Sequence, residues 1–462
     1  MDVLGNVPVD VALDREFDEA FELLNGLVDW RQADELMPLG PAAIYTASVV
    51  LWMLVYQRMH AGASLQAAVK HLIEAPPEHC PQNKRLREKT ISGNTAAFSQ
   101  ARQRLTPEVT QWFASRVCDS LIAASPPSWQ GRRVYLIDGT TITLAPEPEL
   151  QKAFPPASNQ HGEGVWPVAL LLVAHELASG CALLPEIGPM YGPLAIAETA
   201  LVPACVQRLP SASIIMGDAN FGIFAVAHAA AQAGHDFLLR MTAPRFHALA
   251  RKAQLTKQGA GWKTYSHQWT PSAKERKTHP GLPADAHLAV RLHEIEIHET
   301  LTLWLVSGLP DSAVKLSGLY RKREYVETDL RNLKVVLDTE HIRARSLKMF
   351  HKELQTSMVA YNLVVQFRRQ AADLARLTPR QLSFTGVWTT FRQFLMNRLH
   401  TDPMTWRESY RRALSYAMRD KLPHRPGRSY PRTAYPKRHK SSQFAKREKP
   451  QKTDNPDDES TK

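Results

Sequence analysis

Between Arg132 and Met241 short, unbroken apolar runs alternate with helical patterning, and this alternation narrows the fold more than any other feature of the chain. The runs are Val134-Tyr135-Leu136-Ile137, Val168–Val173 and Ile214-Ile215-Met216, and Ala182–Ile187 and Phe237–Met241, each with a charged residue inside, are further strand-like stretches. Continuous apolar stretches of this length, bounded by turn residues, read as strands buried on both faces. Residues 194–208 and about 223–233 carry helical spacing instead. Three strands, a helix, a strand, a helix and a strand predict an α/β fold. The turn-like Ser179-Gly180 makes the start resemble hairpins, so the sheet is expected to be mixed rather than purely parallel.

The flanks differ in texture. Residues 1–130 read as a helical N-terminal region, accessory or DNA-binding, with Phe17, Phe21, Leu24 and Leu27 as one stripe. Ala42 to His71 reads as a buried pair of helices. Thr106-Pro107-Glu108 supplies an N-cap with Pro in the first turn. Arg102 and Arg104, just before it, fit DNA contact and plain helical packing equally well. The strand–helix core falls in two parts, 131–241 and 319–372. Between them, 242–318 reads as a β-rich insertion, with strand-like HLAVRLHEIEIH and TLTLWLVSGL. C-terminal helices are expected over 373–420.

Charge is uneven. The 462 residues carry a formal net charge of +12, and Lys421 to Lys452 contains eleven Lys/Arg against one acid, Glu448. This arm, 421–462, is rich in Pro and Ser, lacks apolar periodicity and reads as a disordered basic tail. A polyanionic partner suits it; a solubilising tail is the plainer reading. Cys80, Cys118, Cys181 and Cys205 lack paired metal-ligand spacing and are expected as reduced thiols. The acidic N-terminus has no basic n-region, and the apolar run Ala42–Tyr56 is shorter than the roughly 20 residues that span a bilayer. A cytoplasmic protein with no membrane partner and access to the nucleoid is expected. His175-Glu176 lacks the second His of a zinc helix, and no phosphate-cradling GxxxxGK[ST] loop occurs.

Three acids stand out. Asp138 and Asp218 each close an apolar run beside a glycine, which places them at expected strand ends, where α/β sheets present functional groups. A turn Asp capping the next element is the plainer alternative. The third lies in YRKREYVETDLRNLK, Tyr320 to Lys334. Projected as one helix at about 100° per residue, Tyr320, Arg323, Glu327, Arg331 and Lys334 share a face about 80° wide. Glu327 thus sits among cations, as a site holding metal and phosphate together requires; an Arg323–Glu327 pair at i,i+4 is the bland alternative. Three such carboxylates suit two Mg²⁺ ions, which bind few protein oxygens and leave positions for water and phosphate. Two ions about 3.5–4 Å apart can activate an attacking oxygen and stabilise a leaving one.

The spacing Tyr-x2-Arg-x3-Glu-x6-Lys, filled by Tyr320, Arg323, Glu327 and Lys334, resembles the signature of the IS-four family of bacterial DDE transposases. LIDGTTI around Asp138 is similar to that family's first catalytic segment, and GDANFG around Asp218, with Phe221, to its second. Ala219-Asn220 departs from the Arg-Gly expected there. The resemblance covers roughly 90 to 435. It implies an RNase H-like mixed-sheet catalytic domain with a β-rich insertion between Asp218 and Glu327, which stand 109 positions apart. It also implies a metal-binding catalytic triad of Asp138, Asp218 and Glu327, served by two Mg²⁺ ions, with Mn²⁺ as a substitute. Tyr320, Arg323, Arg331 and Lys334 would hold DNA phosphates. Trp262 and Trp269 are candidates for stacking on a flipped base in a hairpin intermediate, whereas Trp304 reads as core. The implied activity is cleavage at terminal inverted repeats and transfer of 3′-OH ends into target DNA, by a homodimer in the synaptic complex. A metal nuclease without strand transfer and an inactive DNA-binding derivative are the rival readings.

Overall fold

In the computed structural model the Val134–Ile137 run does not end at Asp138. The structure describes residues 23–423 apart from 25, 41, 61–62, 75, 77–83, 89, 160–161, 337–341 and 397–402. Its strands are β1 (Val134–Thr143), β2 (Pro156–Asn159), β3 (Gly162–Glu176), β4 (Glu186–Pro189) and β5 (Ile214–Gly217). They continue with β6 (Asp236–Arg240), β7 (Gln254–Gly259), β8 (Trp262–Trp269), β9 (Leu288–His298) and β10 (Leu301–Ser307). All ten join one mixed sheet in the order β2-β3-β1-β5-β6-β10-β9-β8-β7, with β4 added on β3.

Asp138 therefore lies within a strand, not at its end as expected. The β-branched Thr140-Thr141-Ile142-Thr143 keep the chain extended past Gly139, and β3 pairs antiparallel along the whole of it, Asp138 facing Val173. The strand that ends at this level is the neighbour. β5 runs parallel to β1 from Val134↔Ile214 to Leu136↔Met216 and stops at Gly217. The same register carried two residues further sets Asp218 beside Asp138. Beyond Gly217 one edge of β1 has no strand partner, and a cleft is the result. β5 also pairs parallel with β6, as two strands buried on both faces should.

The expected strand Ala182–Ile187 is shorter and later. Pro185 has no N–H for a ladder, so Ala182 contributes only a single bridge to His175 and pairing with β3 begins at Glu186. The strands between 242 and 318 do not fold apart from the core. β10 pairs antiparallel with β6, and β9, β8 and β7 follow by hairpin pairing, so the segment lengthens the sheet.

One 28-residue helix, Leu347–Leu374, backs the core. It is buried on nearly every side, including Lys352, Glu353, Asn362 and Arg368. Buried polar groups are stable only when paired. Asn362 accepts from the Ala182 N–H and donates to the Ala182 carbonyl, both at 2.8 Å. Lys352 donates to the Arg102 and Leu105 carbonyls, which ties the N-terminal helices Ala96–Arg104 and Pro107–Ala123 to it. Glu353 pairs with both Arg58 and Arg102. Of the two readings of Arg102, packing is the one its position supports, while Arg104 is exposed. The apolar run at 42–71 forms the helices Ala47–Met59 and Leu65–Glu74, the first buried almost throughout. Among the described residues no helix is long and apolar enough to cross a membrane. Cys118, Cys181 and Cys205 are buried free thiols; Cys80 lies outside the described residues, as do Phe17, Phe21, His161 and nearly all of the basic tail. Residues 1–422 cluster as one unit and 423–462 as another.

Candidate active site

The turn after β5 is held by close backbone approach. Phe221 is fully buried, and a methyl group on Gly217 would lie 2.8 Å from its Cβ. A methyl group on Gly222 would lie 1.9 Å from the Arg240 carbonyl oxygen. Only glycine fits at either place, so both ends of GDANFG are sterically required. Within the turn the Asn220 N–H donates to Asp218 Oδ1 at 2.9 Å, which aims that carboxylate. On β1 the Gly139 N–H donates to Asp138 Oδ1 at 2.9 Å.

The Tyr320–Lys334 stretch is not the single uniform helix its spacing predicts. An α-helix over Ala313–Tyr320 tightens to a 3₁₀ turn at Arg321–Glu324, returns to α at Tyr325–Arg331 and widens to a π turn at Asn332–Val336. The changes of winding rotate the side chains. Arg323 and Glu327 keep to one side and Tyr320 turns away from it. Arg323 reaches across the cleft: its Nη2 is 3.0 Å from Asp138 Oδ2 and 3.6 Å from Asp218 Oδ2, and its Nη1 is 3.2 Å from Glu327 Oε1. One guanidinium thus gathers all three acids. Its side chain is only 14% exposed whereas that of Glu327 is 62% exposed, so the aspartates form the floor and Glu327 the rim.

A fourth acid, absent from the sequence reading, completes the cluster. Glu198 opens the 3₁₀ turn Glu198–Leu201 and its Oε1 accepts from Asn220 Nδ2 at 3.1 Å. Its Oε2 fills the space beside Gly139: a methyl group there would lie 1.8 Å away. Burial pushes the Asp138 carboxyl up to about 6; Asp218 and Glu198 add to this, while Arg323 and the Gly139 N–H oppose it. Burial also raises Glu198, against Asn220, Arg323 and the Gly139 N–H, with Asp218 raising it further.

The other expected site residues divide. Arg331 is exposed, and Lys334 is half-buried in the π turn, a winding often found at functional sites. Tyr320, expected on the phosphate-facing side, is buried. Its hydroxyl donates to the Gly217 carbonyl at 3.4 Å, and burial raises it to about 12. Its place is under the Asp218 turn, not at the surface. Trp262 is half-buried at the start of β8, over Gly259. Trp269, a candidate for base stacking, is 3% exposed and edge-on to Phe224, as ordinary packing would have it. What surface it keeps lines a cavity of about 860 Å³, whose wall also includes Glu198, Asn220, Arg245 and Met241. Trp304, read as core, is half-buried and packs against the core from its edge.

Among the described residues no group of three His, Cys, Asp or Glu side chains is arranged to hold a metal ion as it stands. The donor chemistry nonetheless fits a hard divalent cation. The acids supply only oxygens, and Asp138 and Asp218 converge on one positive group, the Arg323 guanidinium, which stands in for a cation between them.

The model of the family described as transposase DDE domain matches residues 129–363, slightly more than half of the chain and all four acids of the cluster. No curated protein matches. Among solved structures, the chain is similar to that of a piggyBac transposase synaptic complex with hairpin DNA. The identity is 10% and the TM-score 0.37, over 81% of this chain and 78% of that one.

Proposed function

The chain belongs to the transposase DDE domain family, and from that we propose that it cleaves DNA at transposon ends and joins the freed 3′-OH ends to target DNA, in the manner of IS-four elements. The observation that carries this is the meeting of Asp138, Asp218 and Glu327 on one guanidinium, inside the family-matched segment. The strand arrangement supports an RNase H-like core: β1, β3 and β4 antiparallel, then β5 and β6 parallel to β1.

In this reading Asp138 and Asp218, at the floor, and Glu327, at the rim, would hold the cations. Bound there, two Mg²⁺ or Mn²⁺ ions would activate the attacking oxygen and stabilise the leaving one. Arg323, released from the carboxylates, turns to a DNA phosphate, where Arg331 and Lys334 on the same helical run join it. Their fixed charges position the strand for in-line attack. Tyr320 sets the height of the Asp218 turn from below. Trp262 or the cavity beside Trp269 receives an unstacked base if the pathway runs through a hairpin. A dimer brings two ends together, in the nucleoid.

The test uses the purified full chain, a pre-cut duplex end taken from DNA flanking the gene, supercoiled target plasmid and Mg²⁺. Joined product is expected. Nicking without joining would replace the proposal by a nuclease, and binding alone by an inactive derivative. Asp138→Asn, Asp218→Asn and Glu327→Gln should each abolish cleavage while end binding persists; full cleavage by any one removes that residue from the triad.

A further inference from the structure

The two aspartates sit on separate pieces of backbone, β1 and the turn after β5, and nothing in the parallel ladder joins them beyond Leu136 and Met216. Glu198 does. Its Oε1 accepts from the Asn220 side chain at 3.1 Å, and the Asn220 N–H in turn holds Asp218 Oδ1 at 2.9 Å. Its Oε2 packs in the space over Gly139, whose N–H holds Asp138 Oδ1. We propose that Glu198 is a positioning residue that clamps the Asp138 and Asp218 turns at one separation by bridging Asn220 and Gly139. Two departures in the sequence then acquire a reason. Asn220 stands where a glycine was expected because its amide is the arm of the clamp. Gly139 inside the strand leaves the room that the Glu198 carboxylate occupies, and a side chain there would displace that carboxylate.

The contact is one of geometry and not of charge alone. Glutamine at 198 keeps one acceptor oxygen for Asn220, whereas alanine keeps neither contact. Partners that orient metal-binding carboxylates commonly change metal affinity by about 10–100-fold when removed. The inference rests on the proposed metal-dependent function for its consequence, but the clamp itself is measurable without metal or DNA.

Hydrogen exchange of the full chain without divalent ions, read on peptides spanning 134–143 and 214–223, tests the clamp. Glu198→Ala should speed exchange in both peptides, Glu198→Gln should restore most of the protection in the second, and β8–β9 peptides should not change. Equal exchange in the wild type and Glu198→Ala at either turn overturns the proposal. Mn²⁺ titration, read by electron paramagnetic resonance, tests the consequence. Affinity should fall about tenfold or more in Glu198→Ala and less in Glu198→Gln, with the melting temperature little altered. Mn²⁺ binding by Glu198→Ala within twofold of the wild type, while Asp138→Asn abolishes it, also overturns the proposal. If the wild type itself binds no Mn²⁺, the metal-dependent reading fails, and the exchange measurement still decides the clamp.

Discussion

Arg323 and Asp138 show how a cluster of like charges is held together. Three carboxylates near one another repel, and a guanidinium among them offsets that repulsion with charge-assisted hydrogen bonds to Asp138 and Glu327 and an ion pair to Asp218. The compensation is incomplete, because burial still pushes Asp138 up to about 6. The unfolded chain releases that proton near pH 4, so between about pH 4 and 6 the folded protein binds more protons than the unfolded one. Stability that is present below pH 4 is therefore lost as the pH rises through 6. Asp138→Asn, which carries no charge, escapes that loss. Without divalent ions its melting temperature should match the wild type at pH 4 and exceed it at pH 7; a gap that does not widen with pH would contradict the assignment. Glu198 was illegible for a simple reason. It lies at the start of a short turn in an unremarkable AIAETAL segment, 60 residues from Asp138. The one available hint was Gly139, since glycine within a strand marks the close approach of another group.

The helical run from Ala313 to Val336 presents the carboxylate cluster on one side and anchorage on the other. Glu327 faces the cleft, and Asp329, two residues on, is buried against Arg380 Nη2 at 2.6 Å. Arg380 also donates to the Leu177 carbonyl and lies 4.7 Å over the Tyr325 ring. Four contacting groups thus fix the rotation of the segment about its own axis, and with it the direction of Glu327. Arg380→Met leaves Asp329 buried without its partner and should cost about 3–5 kcal/mol in urea unfolding. Adding Asp329→Leu should recover most of that loss; no recovery would mean that the pair is not the anchor. The 100° projection placed Glu327 and Arg323 on their observed side but misplaced Tyr320. A change from α to 3₁₀ winding at Arg321 shifts phase by about 20° per residue, and no residue in that stretch forbids α.

The molecule as a whole joins segments far apart in the chain. The strands of 254–307 lengthen the sheet through β10 and β6, and the Leu347–Leu374 helix binds the N-terminal helices through buried ion pairs and amide bonds. The folded unit closes at Leu422, whose N–H donates to the Gln381 carbonyl at 2.7 Å. Most of the basic tail follows that point in the sequence. A chain ending at Leu422 should keep its melting temperature and lose affinity for arbitrary duplex DNA. Five lost phosphate contacts would flatten the slope of log affinity against log salt by about 4–5. An unchanged slope would leave the tail as a solubilising segment only.

The α/β class and much of the order of strands and helices were legible because they depend on local patterns of buried runs, turn residues and helical spacing, and the same patterns singled out the three acids that the structure gathers on Arg323. Where Asp138 sits in its strand, the inward turn of Tyr320 and the enclosure of Trp269 were not. Each depends on what a neighbouring segment does, such as where β5 stops or which ring packs against Phe224. Glu198 is the clearest case. A carboxylate that bridges two backbone turns acquires its role only when the sheet brings those turns within one side chain's reach.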